Sequence, residues 1–367
     1  MTDPRMLKHA DILVNYSTEI QPGDRVVIEA TTAAEPMLEA LIERILENGG
    51  YPYLITKLPR EEAIFYQFAK EAQLLQTPEF LQMAYEQFEA RIRLHSLTDT
   101  KHLSNVDPEK QALFSRAMSP ILSTQMRRGL SRDLKWCTTL YPTQGYADEA
   151  GMSLDAYKDF VYGAIHADTD DPVSYWEKVR REQAHYITLF EGKDKVVLRG
   201  PNVDLRLSIK GRKFSNSCGL KNMPDGEIFT GPVETSVHGW VRYTYPSEHE
   251  GRVVEDVELE FVEGRVLHAK AGRNQDFLVR MLDSDPGARY VGEFAIGLNF
   301  EINKFTGNIL FDEKIGGSFH MALGAGYPET GSQNKSQIHW DMICDMRKDA
   351  EILVDGEVVY KDGKFIA

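Results

Sequence analysis

The sequence predicts an α/β protein in two parts: an N-terminal α/β domain with a mostly parallel sheet over 1–190, then a strand-rich α+β domain over 191–367. Three observations predict it. Residues 24–56 read as strand, helix, strand, the unit from which parallel sheets are built. After Gly192 the pattern changes to an apolar–polar alternation of period two. A length of 367 residues also makes two domains the natural prior, at roughly 100–200 residues each.

The elements follow in chain order. Residues 26–30 are a short apolar run after the turn Pro22-Gly23-Asp24. Over 33–48, Met37, Leu38, Leu41, Ile42, Ile45 and Leu46 fall at helical spacing, and Gly49-Gly50 stops the helix. Residues 51–56 form the next strand. Further helices are predicted at 60–75, 78–89, 108–128 and 153–166, strands at 91–97 and 135–141, and a long charged helix at 171–191. In the second half 195–199, 203–210, 237–245 and 253–261 alternate as strands. Residues 262–265 read as a hairpin turn, and Asp355-Gly356 marks another inside 352–360. One helix interrupts at about 274–282. There is no internal repeat and no low-complexity tract.

Composition excludes several classes. Lys and Arg number 42 against 56 Asp and Glu, for a net charge of −14. Such a chain lacks the basic footprint that nucleic acids or anionic membranes demand, so neither is expected as a partner. Cys137, Cys218 and Cys344 lie far apart and form no CxxC pair, which fits a reducing compartment. The first 20 residues carry no apolar h-region and no window approaches 18 apolar residues. A cytoplasmic protein is therefore expected.

The second half gathers metal-ligand side chains in short segments that are otherwise apolar or glycine-rich. Glu227 lies in MPDGEIFTGP, Glu293 in YVGEFAIG, His320 in GGSFHMALGAGYP, and His339 with Asp341 in SQIHWDMI. The last is the sharpest. Alternation on a strand puts His339 and Asp341 on one face, with Trp340 and Met342 on the other. An imidazole and a carboxylate so placed reach one cation, and a cation offsets the cost of a carboxylate on an apolar strand. Taken singly, each residue also has a plain reading: a water-facing His-x-Asp pair, a hydrogen-bonded core histidine, strand-end glutamates. His238, His249 and His268 are expected to be surface or structural. The βαβ unit lacks GxGxxG, and Gly324-Ala325-Gly326 lacks the Lys-Ser/Thr of a phosphate loop, so no nucleotide site is expected.

MPDGEIFTGP, YVGEFAIG, ILFDEKIGGSFHMALGAGYP and IHWDM, in that order, together with WCTTLYPTQGYADEAGMS at 136–153, resemble the M29 metallo-aminopeptidases, the aminopeptidase T and S group. The resemblance covers nearly the whole chain. It implies metal ligands at Glu227, Glu293, His320, His339 and Asp341, an active-site tyrosine at Tyr327, a homodimer, and release of N-terminal residues from peptides. It also implies two divalent ions per chain, zinc, cobalt, manganese or magnesium. The chain departs from the expected pattern at Asp225-Gly226 before Glu227 and at the bulky Trp340 between His339 and Asp341.

Three carboxylates and two imidazoles form a mixed N/O set suited to such ions. Five ligands hold two ions only if one carboxylate bridges, and Glu293 and Asp341 are both candidates. Glu293 is also the candidate general base if it does not bridge tightly. Tyr327 is placed to donate to an oxyanion. The alternative is a mononuclear non-haem Fe(II) dioxygenase cleaving a hydroxypyridine-type ring, using His320, His339 and Asp341 as a 2-His-1-carboxylate triad. Retention of both Glu227 and Glu293 discriminates in favour of hydrolysis. A purely structural metal site would be expected to be cysteine-rich, and no cysteine cluster is available.

Overall fold

Val26, Val27 and Ile28 are fully buried in succession within the strand Arg25–Thr31. A continuous apolar run of this kind suits a parallel sheet covered on both faces. The computed structural model, which describes residues 3–249 and 251–366, places that strand between Tyr51–Lys57 and Ala90–His95. Lys135–Leu140 and the two-residue strand Asn222–Met223 complete an all-parallel sheet of five strands. Helix starts are capped as their sequences dictate. Asp107 accepts from the Glu109 amide ahead of Pro108–Leu130, and Ser153 accepts from the Ala156 amide ahead of Leu154–Ile165. The helix expected over 60–75 is two, Glu61–Phe68 and Glu71–Leu74. Ala69 and Lys70 are extended, and the Gln73 side chain accepts from the Lys70 amide to start the second.

On this sheet Glu29 is a partly buried anion with three donors. It accepts from the Tyr85 hydroxyl at 2.6 Å, from Arg91 Nε at 3.0 Å and from Arg93 at 3.0 Å. Burial by itself raises its pKa, but Arg91 and Arg93 outweigh burial and hold it at about 2. A depressed carboxylate contributes stability that is present above its unfolded pKa and lost as pH falls through the folded one. Glu29→Gln is therefore expected to cost about 3 kcal/mol near neutral pH, since it removes the carboxylate that balances the fully buried Arg91 and the partly buried Arg93. That difference from the wild type should shrink as pH falls from 4.5 to about 2. Urea unfolding at stepped pH checks this; a gap that does not change with pH would contradict it.

The compact units of the chain are Met1–Trp176 with Gly219–Pro224, and Glu177–Cys218 with Asp225–Ala367. They differ from the 1–190 and 191–367 division read from sequence texture in two places. The helix Pro172–Thr188 passes from one unit to the other, and 219–224 returns to the first because Asn222–Met223 pairs with Thr138–Thr139. A strand of two residues has no periodicity to read.

The second unit is built of antiparallel sheets. One has eight strands, running from Arg265–Lys270 at one edge to Lys364–Phe365 at the other. Its hairpins turn where expected: Glu263-Gly264 and Asp355-Gly356 all have positive φ, as a two-residue turn of this hand requires. The strand expected over 253–261 is interrupted, because Asp256 is left-handed at φ 54° and divides Arg252–Val254 from Glu258–Val262. The other large sheet has five strands, in the order His339–Asp345, Ser318–Gly324, Val291–Gly297, Glu227–Thr230 and Ser215–Ser217. Its apolar face carries Ile228, Phe294, Ile296, Phe319, Met321, Leu323, Trp340 and Met342 into one core shared with the eight-stranded sheet.

Candidate metal centre

The other face of the five-stranded sheet collects the candidate ligands, and register explains why. Ala322 lies opposite Asp341, and Gly324 opposite His339. Ala295 lies opposite His320 on one side and Phe229 on the other, and Gly297 lies opposite Glu227. A bulge between Val291 and Glu293 sets Glu293 across from Ala322. Glu227, Glu293, His320, His339 and Asp341 therefore project from one face, which they share with Ala295, Gly297, Ala322 and Gly324 and with Phe229 and Ile343. Glu227, Glu293 and His320 are at most 4% exposed.

Each imidazole is aimed by its backbone partner. His320 Nδ1 lies 2.9 Å from the Glu313 carbonyl and His339 Nδ1 lies 2.8 Å from the Ala325 carbonyl. An Nδ1–H donated there directs Nε2 to the cluster. His320 Nε2 is 3.6 Å from Glu227 Oε2, 3.5 Å from Glu293 Oε1 and 3.9 Å from Asp341 Oδ1. His339 Nε2 is 3.4 Å from Glu293 Oε2 and 3.6 Å from Asp341 Oδ1. Glu293 thus turns a different oxygen to each imidazole, while Asp341 faces both with the same one.

The two departures noted in the sequence have local causes. Gly226 has φ 121°, and a Cβ there would lie 2.9 Å from the Asn299 side chain. Only glycine lets the chain bring Glu227 into its strand by that route. Trp340 points away from the cluster into the core, where its indole N–H donates to Ser247 at 2.7 Å and its ring packs on Phe277. It takes no part in the site.

Glu313 and Lys314 belong to the cluster and were not among the residues expected. Ligand atoms of Glu313, His320 and Asp341 lie within 4.8 Å of one another, as do those of Glu293, His339 and Asp341. Lys314 is completely buried, contacts Glu313 and lies 3.8 Å from Glu227 Oε1. The signal was in the sequence: Asp312-Glu313-Lys314 is a run of three charges between Phe311 and Ile315, both fully buried.

The electrostatics are those of a site made for cations. Burial raises the Glu227 carboxyl well above its ordinary range, with Lys314 opposing, and burial also raises Asp341. Burial pushes Glu293 the same way, but hydrogen bonds from His320 and His339 outweigh it and hold Glu293 at about 2. Burial lowers Lys314, yet Glu313, Glu227 and Asp225 raise it above its ordinary value. Glu227 Oε2 and Asp341 Oδ1 are buried oxygens without a hydrogen-bond partner among the described residues. Burial would lower His320 and His339, but the carboxylates around them raise both to about 10. Four carboxylates thus face one ammonium and two imidazolium ions, with two carboxylate oxygens still unsatisfied; the imidazolium protons can be replaced by divalent cations. The donor set fits them.

Tyr327 stands beside this cluster, its ring 5.2 Å from that of His339 and 5.3 Å from that of Phe229. Its carbonyl accepts from the Thr330 hydroxyl at 2.7 Å and its backbone begins the turn Pro328–Thr330. Burial, then the charges of Glu293 and Asp341, raise the phenol well above 10, so it keeps its proton.

Comparison with known proteins finds chains similar over nearly the whole length. The family model described as thermophilic metalloprotease (M29) matches residues 2–365. Aminopeptidase 2 of Geobacillus stearothermophilus is 25% identical, the match covering 97% of this chain and 94% of that protein. Aminopeptidase AmpS of Bacillus subtilis (strain 168) is 26% identical, with 97% of each chain covered. Among solved structures, wild-type AmpT from Thermus thermophilus superposes with a TM-score of 0.86 at 22% identity, covering 99% of both chains. The fold is the same.

Proposed function

The chain belongs to the M29 thermophilic metalloprotease family, and from that premise we propose that it is a metal-dependent aminopeptidase releasing N-terminal residues from peptides. One observation carries the proposal: Glu227, Glu293, Glu313, His320, His339 and Asp341 converge in one cluster, with Glu227, Glu293 and His320 buried and the other three partly so. Two divalent ions, drawn from zinc, cobalt, manganese and magnesium, are the reading that uses all six. One position is Glu293, His339 and Asp341, and the other is Glu313, His320 and Asp341 with Glu227 beside it. Ions held there supply Lewis acidity and bring the pKa of water at the site towards neutrality.

The chain's own residues do the rest. Glu293, with one oxygen towards each imidazole, would help to hold an ion and orients both rings. His320 and His339 are locked by the carbonyls of Glu313 and Ala325. The Tyr327 phenol donates to the oxyanion that develops on the scissile carbonyl. Phe229 and Tyr327 offer apolar rings at the site, which supports a hydrophobic N-terminal residue such as leucine. A homodimer and a cytoplasmic location complete this reading. The three cysteines are buried thiols, which accords with a reducing compartment, and no described helix is long and apolar enough to cross a membrane.

Chelator-stripped protein is expected to be inactive on leucine p-nitroanilide and to recover with cobalt, zinc or manganese. Silence with all three, on several amino-acyl anilides, would overturn the proposal. Recovery with ferrous ion alone, and only on hydroxylated pyridines, would instead establish the mononuclear reading that needs just His320, His339 and Asp341.

A further inference from the structure

The two halves of the cluster are not alike. On the His339 side, Glu293 and Asp341 face His339 at 3.4 and 3.6 Å. On the His320 side, a protein ammonium is already present. Lys314 is fully buried, its Nζ lies against Glu313 Oε1, and it is 3.8 Å from Glu227 Oε1. Glu313 and Glu227 are the two carboxylates that belong to the His320 side alone. Backbone hydrogen bonds hold Lys314 there: its N–H donates to the Phe311 carbonyl at 2.9 Å and its carbonyl accepts from the Asn299 amide at 3.1 Å.

We propose that Lys314 is a built-in counter-cation of the His320 side, which makes the two ion positions unequal. The Glu293–His339–Asp341 position binds tightly and the Glu313–His320–Asp341 position is weak and exchangeable. Two physical effects act together. The ammonium engages a Glu313 oxygen that an incoming ion would otherwise take up. Its positive charge also repels that ion at short range in a site shielded from water, where Coulomb terms exceed their value in bulk. The inference rests on the two-position reading above and adds to it an order of loading.

The test uses the ion-free full-length protein, with Zn²⁺ as the probe. Calorimetric titration of the wild type should show two steps, the second weaker by about a hundredfold. After gel filtration in metal-free buffer, elemental analysis should find about one ion per chain. Lys314→Met should bring the two steps within about tenfold of each other and retain about two ions. Lys314→Arg, which keeps the charge, should retain the wild-type pattern. Glu313→Gln should weaken the second step and spare the first. Two equal steps in the wild type, an unchanged ratio in folded Lys314→Met, or loss of the first step in Glu313→Gln would each overturn the inference. If Lys314→Met fails to fold by near-ultraviolet circular dichroism, the wild-type isotherm and Glu313→Gln decide it. Absence of any zinc binding by the wild type would sink the metal centre itself, whereas two equal steps would leave the centre standing and remove only the role of Lys314.

Discussion

Asp341→Asn is expected to abolish peptide hydrolysis, lowering kcat/KM by a factor on the order of 10³ or more. Asp341 is the residue common to both ligand triads, and its Oδ1 faces His320 and His339 at 3.9 and 3.6 Å. Asparagine keeps the shape but removes the charge, so both proposed ion positions would lose their shared anionic ligand at once and keep only a weak amide oxygen. Elemental analysis should show the loss of bound ions along with the loss of turnover. Folding should survive, because the change removes a buried carboxylate whose Oδ1 has no hydrogen-bond partner among the described residues. The melting temperature of the ion-free variant should match or exceed that of the ion-free wild type. His339→Ala should likewise remove activity, with its effect centred on the triad it shares with Glu293. More than about a tenth of wild-type turnover in either variant, measured with saturating metal, would count against the site.

Tyr327→Phe should lower kcat by roughly 10²–10³ and leave KM within about twofold, the pattern of a contact made only in the transition state. The phenol is held protonated by burial and by the negative charges of Glu293 and Asp341, so it remains a donor throughout the working pH range. The sign follows: a group whose pKa is raised above 10 loses its proton only in strong base, so the kcat–pH profile below that point should keep its shape in the variant. The ring contacts to His339 and Phe229 persist in phenylalanine, which separates the hydroxyl from the packing. A rise in KM at constant kcat would assign Tyr327 to substrate binding instead.

Much of this protein is legible in its sequence, because periodicity reports which face of an element a side chain occupies. Alternation alone places His339 and Asp341 together and turns Trp340 and Met342 away, and the structure has Trp340 and Met342 in the core. The same rule divides Glu293 and Ala295 from Phe294 and Ile296 in Val291–Gly297, and Glu227 from Ile228. The glycines at 264 and 356 announce their hairpins, since both turn positions need positive φ.

Register was not legible. Nothing within YVGEFAIG says that Gly297 pairs with Glu227, or that a bulge before Glu293 sets it opposite Ala322. Those pairings are chosen by the packing of the opposite face, where a slip of one residue would expose every core side chain. Glu313 and Lys314 come from the segment between Asp312 and the strand Ser318–Gly324, where no periodicity operates. What brings them to the cluster is the return of the chain, fixed by the bond from His320 to the Glu313 carbonyl and by the burial of Lys314. Sequence by itself determined the faces, the turns and the kinds of side chain that are candidate ligands. Tertiary structure alone decided which carboxylates meet, because hydrogen-bond ladders and core packing act between segments far apart in the chain, where local patterns carry no information.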